Sequence, residues 1–121
     1  LLKRATDDIT LVRRVAEDVD IADAIIGFHA QQAVEKSIKA VLASHDVEYG
    51  KTHQLNYLVG RLTEKGLDLP SSVVEADELS PWAVEFRYET DPEPPLDRLA
   101  TLRLIEDIWR WANAIIEATG T

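Results

Sequence analysis

Residues 28–42, Phe28-His-Ala-Gln-Gln-Ala-Val-Glu-Lys-Ser-Ile-Lys-Ala-Val-Leu42, restrict the fold of this chain more than any other stretch. At about 100° per residue, Ile26, Ala30, Ala33, Val34, Ile38, Val41 and Leu42 fall on one side of a helix. Ile25, Phe28 and Leu42 mark a second, semi-apolar face, with Gln32, Glu35 and Lys39 set into it. A helix that is apolar on more than one side packs against more than one neighbour. Polar groups on such a face need partners, because burying one unpaired costs about 1–3 kcal/mol. The stretch is therefore expected at the centre of a helical bundle with one polar seam, which is either a satisfied contact between helices or a site.

The remaining chain fits that expectation. Leu2, Ala5, Ile9, Val12, Ala16 and Val19 recur at helical spacing and predict a first helix over 2–19, with a mixed-charge outer face. Asp20 is expected to cap a second helix over 21–44, with Asp23 at the capping-box position. Thr52 is expected to cap a third helix, buried through Leu55, Leu58, Val59 and Leu62 and closed by Gly66, with His53 in its first turn. A fourth helix, capped by Ser71 or Ser72, is expected over 72–89. It is broken at Ser80-Pro81, where the serine reads as an N-cap and the proline as the first helical residue. A fifth runs over 95–118, with Leu102, Ile105, Ile108, Trp109, Ala112, Ile115 and Ile116 inward and Leu104 and Trp111 off that stripe. No strand-like alternation, internal repeat or low-complexity segment stands out. The expected fold is all-α, an up-and-down bundle of about five helices in a single domain over 1–121.

Composition excludes several function classes. The chain has no cysteine, and so neither disulfides nor a thiolate metal site. No apolar run approaches the roughly 20 residues that cross a bilayer. The first eight residues lack the layout of a signal peptide, so a cytoplasmic protein is expected. A net charge of −9 lacks the basic footprint that duplex DNA binding requires. His29 and His53 have no ligand-type residue at helical spacing, and no phosphate-loop glycine pattern is present, so neither a metal nor a cofactor is expected. His45 stands at a helix end, where a positive charge suits the dipole. His29 and His53 read first as packing or capping residues. Arg87-Tyr88 reads either as an ion pair with Glu89 or Asp91, or as a pair that holds an anion and stacks a base.

Three segments carry a family resemblance. Residues 28–40 resemble the FHAQQAAEKALKA segment of prokaryotic HEPN domains, Lys51-Thr52-His53-Gln54-Leu55 resembles the THDL segment, and residues 81–88 resemble the late-helix segment that ends in RYP. They occur in the family's order and lie between residues 28 and 88, the middle half of the chain. The resemblance implies a helical bundle, usually a homodimer, and association with nucleotides or RNA. Many members are encoded with a small nucleotidyltransferase, as subunit partner or as toxin with antitoxin. The ribonuclease branch carries an arginine followed, after four to six residues, by a histidine. Here Arg87 would be that arginine, but Pro92, Glu93 and Pro94 occupy the region where the histidine is due, and none follows residue 53.

The expectation is a non-catalytic HEPN-type homodimer that binds a nucleotide, RNA or a nucleotidyltransferase partner. Gln32, Lys36, Lys39, His53, Arg87 and Tyr88 are the expected ligand contacts, with no catalytic residue. The alternatives are a metal-independent ribonuclease toxin and a purely structural interaction module.

Overall fold

The computed structural model describes residues 1–83 and 95–119. Helix α1 spans Leu2–Val15, α2 Asp23–Ser44, α3 Leu55–Glu64 and α4 Ser71–Glu75. A 3-10 segment, Ala76–Trp82, continues α4, and α5 covers Arg98–Thr119. No strand occurs among the described residues, and the bundle is all-α as expected.

Helix α2 is the central element. Thirteen of its 22 residues are buried, including every member of the expected stripe from Ile26 to Leu42. It packs against α1, α3, α5 and the 3-10 segment, which is why its apolar character extends around the helix. Ile9 and Val12 of α1, Leu55, Leu58 and Leu62 of α3, and Ile105, Ile108 and Ala112 of α5 complete the core around it. Helices α1 and α5 are antiparallel, with Arg98 beside residues 16–21 and Glu106 beside Arg13.

The helix boundaries depart from expectation where a distant residue intervenes. Helix α1 ends at Val15, four residues early, and Val19 is 91% exposed instead of completing the stripe. The Arg98 guanidinium donates to the carbonyls of Ala16, Asp18 and Ile21, holding 16–21 as a loop. Asp23 accepts from Arg98 Nε at 2.8 Å and from the Leu96 N–H at 3.2 Å. With Asp23 so engaged, the expected capping box does not form. Ala22, not Asp20, is the N-cap of α2.

The other three caps also differ. Gln54, not Thr52, is the N-cap of α3; Thr52 Oγ1 accepts the Gln54 N–H at 3.1 Å ahead of the helix, and His53 precedes α3 instead of lying in its first turn. Helix α4 begins at Ser71 after Pro70, and the chain then tightens into the 3-10 segment through Pro81, so no single helix starts at 72. Ser80 does not cap: its hydroxyl donates to Asp77 at 2.6 Å. The expected continuation over 84–89 lies outside the described residues.

Two helix ends close alike. Gly66, at φ 85°, sends its N–H to Thr63, and Leu67 donates to Leu62. Asp46, at φ 56°, donates to Ala43, and Val47 donates to Leu42. Both are Schellman endings, with the left-handed residue just past the helix.

Candidate ligand-binding seam on helix α2

Glu35 is the centre of the polar seam. Its side chain is 4% exposed, and a buried carboxylate persists only when its oxygens are paired. Lys39, one turn on, reaches Oε2 at 3.2 Å. His53 presents Nδ1 to both oxygens, at 3.0 and 3.1 Å. The Gln31 amide donates to Oε1 and to the His53 carbonyl, each at 3.3 Å. The Gln31 side-chain oxygen in turn accepts from Gln32 at 2.8 Å. Lys39 also lies over the Tyr49 ring, 5.4 Å from its centre, a cation–π contact that helps hold the ammonium in a mostly apolar setting.

The seam fixes one side chain that reaches water. The His53 imidazole is 71% exposed, yet one of its nitrogens is tied to a buried carboxylate. A carboxylate on Nδ1 selects the tautomer with the proton there and leaves Nε2 as an acceptor. On protonation Nε2 becomes a second donor. Nε2 has no hydrogen-bond partner among the described residues. His53, Asn56, Asp77 and Ser80 line a cleft of about 260 Å³.

Of the six expected contacts, Gln32, Lys39 and His53 meet around Glu35. Lys36 does not join them. It points to helix α1, where its ammonium lies 2.7 Å from Asp8. His29 Nδ1 contacts the other Asp8 oxygen at 2.9 Å, and its ring stands edge-on to Phe28. Asp8 is buried, so Lys36 neutralises its charge, and Lys36 and His29 together tie α1 to α2. Arg87 and Tyr88 lie outside the described residues.

Two seam residues were not among the expected contacts. Gln31 is fully buried, and Glu35 accepts from Gln31, Lys39 and His53 together. The signal for both is the polar row Gln31, Glu35 and Lys39 at i, i+4 and i+8, which places them on one face. Among the described residues, no three His, Asp or Glu side chains gather as metal ligands would.

The family model for the HEPN domain matches residues 1–120. The chain belongs to the HEPN domain family. No curated protein and no solved structure gave a significant match. In this HEPN domain the two most prominent resemblance segments meet in space. Residues 31, 32, 35 and 39 of the first bond one another and His53 of the second. No helix among the described residues is long and apolar enough to cross a membrane.

Proposed function

We propose that this HEPN domain is a non-catalytic binding subunit. It acts as a homodimer and holds a nucleotide, an RNA end or a nucleotide-bearing protein at the mouth of the α2 seam. A small nucleotidyltransferase is the protein partner, in a toxin–antitoxin-like pair. The observation that carries this reading is the His53 imidazole, oriented by buried Glu35 beside an open polar cleft. An exposed histidine held in one tautomer is costly to order for packing alone, since it buries little surface. It serves well as a directional donor or acceptor to a phosphate or base edge.

A thermal-shift panel of nucleotides tests the ligand. A ligand at 100 times its dissociation constant adds about 2.7 kcal/mol to stability. The shift is expected with at least one nucleotide and is lost in His53→Ala. No shift with any nucleotide would leave the purely structural module as the better reading. A tagged pull-down read by mass spectrometry tests the partner, with a small nucleotidyltransferase expected in stoichiometric amount. Light scattering tests the dimer.

The ribonuclease reading has one observation in its favour. Glu35 orients His53 as a triad carboxylate orients its histidine, which provides a base for a hydroxyl proton. Against it stands the missing Arg-x4-6-His motif. RNA cleavage in EDTA that disappears in His53→Ala would replace the non-catalytic reading.

A further inference from the structure

Away from the α2 seam, helices α1 and α5 enclose a groove of about 220 Å³. Thr6, Thr10 and Arg13 supply one wall at helical spacing, and Glu106, Trp109 and Arg110 supply the other. The wall chemistry is unusual for a chain of net charge −9, because donors dominate. Arg13 spends one nitrogen on Glu106 at 2.7 Å, and Arg110 spends one on Asp107 at 2.7 Å. Among the described residues each guanidinium has no further hydrogen-bond partner, and both side chains are more than half exposed, at 54% and 65%. The Trp109 indole N–H is buried and donates to nothing among the described residues.

Glu106 is the acidic side chain on the groove lining, and Asp107 follows it on the same helix. Both already accept from the arginines. The two guanidiniums keep donors that neither carboxylate occupies. Two planar forks on opposite walls match a tetrahedral dianion better than a single carboxylate, since each fork can take two of its oxygens. The apolar faces of Ile9 and Trp109 suit a small carbon body attached to it.

We propose that the α1–α5 groove is an anion site that takes a phosphate group, clasped between Arg13 and Arg110. The site is separate from the His53 cleft, and its test does not depend on the reading of that cleft. Binding to it releases Arg13 from Glu106 or adds to that pair. Either is inexpensive, because an exposed ion pair contributes little to stability.

The test uses the full chain labelled with ¹⁵N, titrated with inorganic phosphate at constant ionic strength while the indole N–H peaks are followed. The Trp109 peak is assigned by its loss in Trp109→Phe, and the Trp82 peak is the reference. Phosphate is expected to move the Trp109 peak saturably. Arg13→Gln and Arg110→Gln are each expected to weaken binding about tenfold, the loss of one charge-assisted contact. Arg103→Gln makes the same charge change on α5 outside the groove and leaves the affinity unaltered. Ribose 5-phosphate binding more tightly than phosphate identifies a phosphorylated small molecule as the occupant, and equal affinity identifies phosphate itself. A Trp109 peak that does not move or moves without saturating overturns the site. So does equal weakening by Arg103→Gln, which would mean attraction by overall charge alone.

Discussion

The indole ring of Trp82 rests directly on the backbone of Gly27. A β-carbon at residue 27 would stand 2.5 Å from Trp82 Cδ2 and 2.7 Å from Cε3, closer than carbon atoms pack. This contact seats the 3-10 segment on α2. Gly27→Ala raises local helix propensity by about 1 kcal/mol, yet forces the ring away. The net expectation is destabilisation by about 1–3 kcal/mol, because overpacking a filled core costs that much. Urea unfolding measures it. A Gly27→Ala variant as stable as the parent would show that Trp82 can shift freely.

The Glu35 seam predicts a separation of stability from binding. Glu35→Ala leaves the largely buried Lys39 ammonium without its carboxylate and is expected to cost about 3–5 kcal/mol. Glu35→Leu combined with Lys39→Met removes both charges and is expected to cost much less than Glu35→Ala alone. A double-mutant cycle in denaturant reads the coupling. His53→Ala is expected to cost under about 1 kcal/mol, since its ring is mostly exposed. If His53→Ala instead unfolds the protein, the histidine is a structural prop and the cleft loses its main claim as a site.

Arg98 is expected to be among the most sensitive polar positions. Its guanidinium satisfies three carbonyls of the α1–α2 loop and the Asp23 carboxylate together. Arg98→Ala leaves those acceptors without it and is expected to cost about 2–5 kcal/mol. Arg98→Lys recovers only part, because one ammonium cannot match the planar fork. Hydrogen exchange should show faster exchange over residues 16–23 in both variants. Unchanged exchange there would mean that the loop is held by other contacts.

The two Schellman endings predict opposite responses. Asp46 occupies the left-handed region at φ 56°, where a side chain is strained by roughly 1 kcal/mol, so Asp46→Gly is expected to stabilise by up to that amount. Gly66 at φ 85° already has the preferred residue, and Gly66→Ala is expected to destabilise by roughly 1 kcal/mol. Nothing crowds a β-carbon at Gly66, so the effect reports backbone conformation alone. Thermal unfolding of the two variants checks both signs.

The sequence by itself determined the all-α class, the buried stripe of α2, the core residues Leu55, Leu58 and Leu62 of α3 and Ile105, Ile108 and Ala112 of α5, and the Gly66 ending, whereas Val59, Leu102, Trp109, Ile115 and Ile116 are only partly buried. The features so determined are local. Helical periodicity and a glycine past the last turn are encoded within a few residues of where they act. The sequence also held the resemblance that the HEPN match bears out. Only the tertiary structure decided which polar side chains meet. Lys36 and Lys39 look alike in the chain, but the turn between them sends one to Asp8, 28 residues away, and the other to Glu35. The early end of α1 depends on Arg98, 80 residues beyond the Asp18 carbonyl it binds. The fit of Gly27 under Trp82 depends on how a 3-10 segment crosses α2. Spacing along a chain specifies which face a residue occupies. It does not specify what lies opposite that face, and pairing of charges and filling of space are settled there.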